Sequence, residues 1–296
     1  MKRLWTYPSA AAGLIGALLL AGSVTGQVVP ESAQIPGAAR DAFTPPPIPG
    51  QNVNGLRVYL RGGLKTHGDG EHDYPQFLAD WSKLLTAHGA VVDGSFHAPT
   101  AEDLAKTDVL VIYKGDAGYM SRAEKAALDG FVQRGGGLVI LHDGLCGPDP
   151  AAYAQYVGAG KKHGEINFTL NADLDYTITD PNSPIMKGMT NLALRDEAFF
   201  KMTWASNPGI KPLATVTIPD VPTAKGHVGE VVPQIWTYEH KAGQGDTARA
   251  FVWMQGHNYA NFQNPQIRDM LLRGIAWAGK HPVDELVDYK APAPRR

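Results

Sequence analysis

Short apolar runs that break abruptly on glycine and polar residues set the pattern of this chain. RVYLRGG (57–63) runs into Lys65, His67, Glu71 and His72, and VLVIYKGD (109–116) ends on Lys114 and Asp116. LVILHDG (138–144) ends on His142 and Asp143, and FVWMQGHNYANF (251–262) breaks at Gly256, His257 and Asn258. Runs of this length and content read as buried strands. Between them the apolar spacing becomes helical. Pro75 suits a first helical position, with Phe77, Leu78, Trp81, Leu84 and Leu85 on one face and Gly89 as the stop. Residues 90–92 read as the second strand, and Thr100 with Asp103 opens another helix. Ser121 and Glu124 make a capping box for a helix through Val132, closed by Gly135, Gly136 and Gly137. Strands alternating with helices predict a parallel, doubly wound α/β sheet with right-handed crossovers. In such a sheet the strand ends form one ligand-binding edge, so the four polar clusters are expected to meet there.

After a short helix at 151–157 the rhythm changes. INFTLNADLDYTITD (166–180), LATVTI (213–218) and VVPQIWTYE (231–239) alternate apolar with polar residues, which predicts an antiparallel extension of the sheet. Asn264 and Pro265 then cap and open a final helix through Trp277, ended by Gly279. At the other end, Lys2 and Arg3 precede an apolar run from 10 to 24 and small residues, the three-part pattern of a signal peptide over 1–26. A Pro-rich linker at 27–54 and a single domain at 55–296 complete the expected organisation, in a periplasmic or secreted protein with no stable membrane association after cleavage.

Composition narrows the partners. With 44% hydrophobic residues, 19% charged residues and a formal net charge of -2, the chain is an ordinary globular sequence with no electrostatic basis for binding nucleic acid. RGGGL at 134–138 is a helix stop rather than a dinucleotide loop, so no nucleotide cofactor is expected. Cys146 is the only cysteine, which excludes an intramolecular disulfide. A thiol nucleophile would stand on the turn directly after its strand; His142 holds that turn, and Cys146 comes four residues later.

Candidate chemistry centres on histidine. His67, His72, His142, His163 and His257 occupy strand ends or loops, and neutral imidazole is the commonest ligand of zinc-like divalent ions. A mononuclear centre drawn from these five is the expected metal site, with Glu197 or Asp143 as oxygen ligand or base. His142, Asp143 and Glu197 are the catalytic candidates. Glu197 belongs to an acidic pair with Asp196 before Phe199 and Phe200, a setting that raises a carboxyl pKa, although an ion pair with Arg195 is the plainer role. Lys114, Asp116, Asn258 and Tyr259 share the same edge and are the substrate-binding candidates. Trp236, Trp253, Tyr259 and Phe262 offer flat surfaces for a sugar, with core packing as the simpler assignment. His88, His97, His227, His240 and His281 read as surface or capping residues.

LVILHDG after RGGG, then VGAGKKHG, DPNSPIMKGMTN with RDEAFF, and VPQIWTYE with the run from FVWMQGHNYANF to IAWAG together resemble the successive motifs of the ThuA-like family, named for trehalose utilisation. KTHGDGEHDY resembles the opening loop of a secreted subgroup. The resemblance covers residues 56–279. It implies a flavodoxin-like sheet related to class I glutamine amidotransferases but without their catalytic cysteine, and a role in carbohydrate metabolism on a keto-sugar or keto-glycoside. The family's recurrent positions fall on His142, His163, Glu197 and His257; where small residues usually follow the strand-end histidine, this chain has Asp143 and Gly144. A metal-assisted hydrolysis, elimination or isomerisation of a small carbohydrate is the leading expectation. The alternative is a non-catalytic carbohydrate-binding protein using the same cleft.

Overall fold

The computed structural model describes residues 54–290. The expected signal peptide and, apart from Asn54, the linker lie outside them. Among the described residues no helix is long and apolar enough to cross a membrane.

The first half follows the alternation of its apolar runs: β1 (Arg57–Arg61), α1 (Tyr74–Ala87), β2 (Val91–Ser95), α2 (Ala101–Ala105), β3 (Val109–Tyr113), α3 (Arg122–Gln133) and β4 (Gly137–Leu141). Thr100 and Ser121 each close a capping box at the start of α2 and α3. Then come β5 (Cys146–Gly147), α4 (Pro150–Val157), β6 (Ala159–Lys162), β7 (Ala172–Ile178), β8 (Ala193–Asp196), β9 (Thr203–Trp204), β10 (Ile210–Thr217), β11 (Val231–Lys241), β12 (Thr247–Trp253) and α5 (Pro265–Ala278). The nine-stranded sheet runs β2-β1-β3-β4-β12-β11-β10-β7-β8. Its first five strands are parallel, and β11, β10, β7 and β8 extend it antiparallel. Strands β5, β6 and β9 form a small sheet of their own.

Helices cover both faces of the parallel part, which is why its strands read as unbroken apolar runs. Phe77, Trp81 and Leu85 of α1 pack with Ile267, Leu271 and Ile275 of α5 over Val58, Val111, Val139 and Trp253. On the other face Phe131 of α3 and Tyr153 and Val157 of α4 cover Leu110, Ile112, Ile140 and Val252.

Three local expectations need correction. The second strand extends to Ser95, beyond the apolar stretch that marks it. The segment 166–171 is not part of β7: it makes only an isolated antiparallel bridge, Phe168 with Phe199, through Phe200 N to Asn167 O and Thr169 N to Ala198 O, and the Asn167 amide turns to Lys162 O at 3.0 Å. His240 is neither surface nor cap: it lies buried in β11, stacked on Tyr238 at 4.4 Å, with neither ring nitrogen hydrogen-bonded among the described residues. Burial lowers its pKa to about 4. Between that value and the unfolded value of about 6.5, only the unfolded chain takes up the proton, so stability falls as pH falls through this window. His240→Phe keeps the stacked ring and removes the titration. Denaturant melts are expected to show the variant gaining about 2 kcal/mol on the wild type between pH 7.5 and pH 5.

Candidate metal centre

The polar strand ends converge because the loops that carry them are bonded to one another. After β4 the chain turns at once: His142 has φ 51, a left-handed conformation unusual for a residue with a side chain, and this aims its ring across the sheet edge. After β12 the turn falls on Gly256, at φ 125. The loop after β1 is fastened to the one after β12 by His72 N to His257 O (2.9 Å), Tyr259 N to Gly70 O (2.8 Å) and a bridge between Glu71 and Asn258. Asp196, fully buried at the end of β8, accepts from the backbone N–H groups of Glu197 (2.8 Å), Gly256 (3.2 Å), His257 (3.1 Å) and Asn258 (3.3 Å) and from Asn261 Nδ2 (2.6 Å). Burial pushes its carboxyl up to about 6 against those donors.

Four donor atoms result, one each from His72, His142, Glu197 and His257, all buried and within 4.8 Å of one another. His72 Nε2 lies 2.9 Å from His142 Nε2 and 2.9 Å from His257 Nδ1. Glu197 Oε2 lies 3.7 Å from each of His142 Nε2 and His257 Nδ1. For a tetrahedral zinc with Zn–N of about 2.0–2.1 Å, neighbouring donors stand roughly 3.3 Å apart, a value these separations bracket.

The outward ring atoms decide the protonation. His142 Nδ1 faces Met254 O at 3.1 Å, and a carbonyl only accepts, so the proton is on Nδ1 and Nε2 is a bare lone pair. His257 Nε2 lies 3.4 Å from the Glu71 carboxylate, which places its proton there and leaves Nδ1 bare. His72 Nδ1 meets Thr66 Oγ1 at 3.1 Å. Were His72 to turn its proton inward, it could donate squarely to only one of its two 2.9 Å contacts, and the lone pair of the other histidine would be left without a donor of its own. Extra protons are disfavoured as well: burial lowers His72 to about 2 and His142 to about 4, and also lowers His257. A cation satisfies every one of these contacts, and outward bonds to a carbonyl, a hydroxyl and a carboxylate are the usual support of histidine ligands.

Beside the cluster opens a cleft of about 400 Å³, lined also by His67, Glu71, Asp143, Lys161, Phe168, Leu170 and Asn171. Small-ligand sites typically span about 300–1,000 Å³. Lys161, delivered by β6, donates to Asp143 Oδ1 at 2.6 Å and lies over the Phe199 ring at 4.0 Å. Burial opposes the Asp143 carboxylate, yet the Lys161 ammonium, charged and hydrogen-bonded to it, holds its pKa well below the usual carboxylate range. Burial, reinforced by the Asp143 charge, pushes Glu197 up to about 8.

The five candidate histidines therefore separate. His72, His142 and His257 converge. His67 is exposed, its ring tilted against His72 with centroids 3.8 Å apart, and lines the cleft without joining the donor set. His163 lies in a second group with Asp116 and Cys146, its Nδ1 2.8 Å from Asp116 Oδ1. Lys114, Asp116, Asn258 and Tyr259 do not line the cleft. The Asn258 amide holds Asn171 Oδ1 and Arg195 O, and the Tyr259 hydroxyl donates to Asp80 at 2.7 Å, so both serve the architecture. Trp236, Trp253, Tyr259 and Phe262 are core, and Arg195 pairs with Asp173 rather than with the acidic pair. Burial drives the Cys146 thiol up to about 12, which removes it as a nucleophile. Glu71, Lys161 and the anchoring role of Asp196 were not assigned from sequence; the one signal for Glu71 is its position next to His72 in GEHD.

Glu71 provides a graded test. Glu71→Ala is expected to weaken binding of a divalent ion by about 10- to 100-fold, as loss of a ligand's supporting acceptor does, while Glu71→Gln retains most of the affinity. Competitive chelator titration of both variants checks this.

A doubly wound sheet with an imidazole-carboxylate cluster at the carboxyl ends of its strands defines an α/β protein whose buried cluster could hold a metal ion. Residues 64–278 match the family described as ThuA, trehalose utilisation, and the chain belongs to that family. A carbohydrate-related function and carbohydrate-related ligands follow from that membership. No curated protein matches the chain. Among solved structures it is similar to a ThuA-like protein from Bacteroides uniformis, with 16% identity and a TM-score of 0.55 over 75% of this chain and 91% of that one. It is also similar to a β-galactosidase from Rahnella sp. R3 (16% identity, TM-score 0.47, 77% of this chain and 32% of that one). A glutamine amidotransferase from Thermotoga maritima is similar too (10% identity, TM-score 0.36, 79% and 99%). At 16% identity the likeness to the Bacteroides uniformis protein is one of fold.

Proposed function

We propose that this protein is an exported, metal-dependent enzyme that hydrolyses, eliminates or isomerises a keto-sugar or keto-glycoside. The observation that carries the reading is the convergence of three buried imidazole nitrogens and a carboxylate oxygen, with His72 Nε2 2.9 Å from both His142 Nε2 and His257 Nδ1 and the protons of His142 and His257 directed outward. His72, His142 and His257 would hold a zinc-like divalent ion, with Glu197 at the remaining side. Such an ion supplies Lewis acidity, which polarises a carbonyl or activates water. Glu197, within 3.7 Å of two of the imidazoles and open to the cleft, is placed to move the proton, as abstraction beside a ketone requires. Lys161 and Asp143 form a charged wall that orients substrate oxygens, and Phe168 and Leu170 provide an apolar wall for a sugar's C–H face.

Elemental analysis of untagged mature protein beside His142→Ala, His257→Ala tests the reading. Near-stoichiometric zinc, manganese or iron in the wild type and none in the variant supports it, and justifies a screen of keto-glycosides. No metal in either, even after incubation with metal salts, removes it. Saturable sugar binding that survives chelation without turnover would instead favour the non-catalytic binding protein.

A further inference from the structure

At the carboxyl ends of β1 and β3 the structure carries a buried cation with no adequate partner. Arg61 closes β1 and is 7% exposed, and its Nε is buried with no hydrogen-bond partner among the described residues. Glu124 Oε1 stands 4.0 Å from Nη2, beyond hydrogen-bond reach, and Glu124 Oε2 is already held by Ser121 N at 2.6 Å in the cap of α3. A guanidinium taken out of water needs partners for its donors, and an unpaired one is costly.

A second cation stands beside it. Arg61 is in register with Ile112 of β3, so Lys114 lies two residues further on, on the same face of the sheet. Lys114 is half-buried, and its pKa is lowered first by burial and then by the Arg61 charge. The loop after β1 presses onto its stem: a Cβ on Gly63 would meet Lys114 Cβ at 2.7 Å. Lys114 Nζ donates to Gly115 O, which leaves further N–H groups of the ammonium for another acceptor. Of the nearby acids, Asp116 is engaged with His163. The place itself is significant. β1 has β2 on one side and β3 on the other, so this crevice is where the strand order reverses, the position at which open α/β sheets take ligands. Lys114 also follows Tyr113, which pairs with Leu141, so it stands one strand from His142.

We propose that Arg61 and Lys114 form a subsite for an oxyanion, the phosphate or carboxylate group of a small molecule, at the β1–β3 crevice. Two cations supply charge-assisted donors to one anionic group, and a guanidinium fork suits phosphate and carboxylate alike. This site needs no metal in the histidine cluster, so it stands or falls separately from the proposed activity.

The test uses the full mature chain after chelation, titrated calorimetrically with inorganic phosphate and with acetate, against chloride at matched ionic strength. Saturable binding of phosphate or acetate is expected, with a raised melting temperature that chloride does not reproduce. Lys114→Met and Arg61→Met should each weaken it by about tenfold or more. Because Arg61 is buried and its variant can fail to fold, Lys114→Met decides alone if need be. Glucose 6-phosphate binding more tightly than phosphate would assign the site to a substrate group, and equal affinity would assign it to the free ion; both support an oxyanion subsite. No binding of either anion, binding unchanged in Lys114→Met, or binding lost in His257→Ala but kept in Lys114→Met overturns the proposal.

Discussion

His142→Asn is expected to reduce affinity for a divalent ion by at least about a hundredfold, beyond the loss that removal of a supporting acceptor causes. It should do so without destabilising the metal-free protein. His142 sits at φ 51, which asparagine tolerates better than most residues, and it places a bare nitrogen 2.9 Å from His72 Nε2. A strained backbone and three imidazole nitrogens crowded at 2.9 Å are features that a metal-free protein gains nothing from keeping. Thermal melts should show the wild type gaining stability with added zinc, by an amount set by ligand concentration over dissociation constant, and the variant gaining none. With chelator present the two should melt within a few degrees of each other. A variant that retains its metal would mean that His142 is not a ligand. A chelated variant that melts far lower would make the cluster a structural histidine network.

Much of the fold was legible in the sequence because its strands and helices announce themselves locally. The apolar run of β3 ends where the strand ends, and the capping boxes at Thr100 and Ser121 mark helix starts by chemistry that acts within four residues. His72, His142 and His257 were visible as candidates because each follows a strand at the ligand-binding edge. Their separation from His67 and His163 was not visible. It depends on the loop after β1 docking on the loop after β12, and on β6 and β5 pairing in a small separate sheet that carries His163 elsewhere. These are contacts between distant segments, and no spacing encodes them. His240 was misplaced for a related reason: a histidine near a strand's polar end looks exposed until the opposing aromatic face is known. Lys161 shows the same limit, since KK in VGAGKKHG does not reveal that Lys161 turns in to Asp143 while Lys162 is exposed.

The largest effect on the protein as a whole is expected from a residue that holds no ligand. Asp196→Ala would take an acceptor from five donors: the backbone N–H groups of Glu197, Gly256, His257 and Asn258, and Asn261 Nδ2. Three of these, the N–H groups of Glu197, Gly256 and His257, are buried, while Asn261 Nδ2 keeps Arg195 O as an acceptor; at about 1–3 kcal/mol for each buried donor left unsatisfied the loss is at least about 3 kcal/mol, a large share of the whole stability of many domains. Asn is a poor substitute. Oδ1 now accepts from Glu197 N and His257 N, and Oδ2 from Gly256 N, Asn258 N and Asn261 Nδ2, so an amide group can satisfy one set only by pointing its own N–H groups at the other. Asp196→Asn is therefore expected to lie close to Asp196→Ala in urea melts, with both far below the wild type. Where either variant folds, metal retention should fall too, because the turn that presents His257 has lost its fastening to β8. If Asp196→Asn instead melts near the wild type and keeps its metal, the buried carboxylate is not what joins the β8 end to the β12 turn, and the placement of Glu197 beside the three histidines must come from β8 pairing with β7 alone.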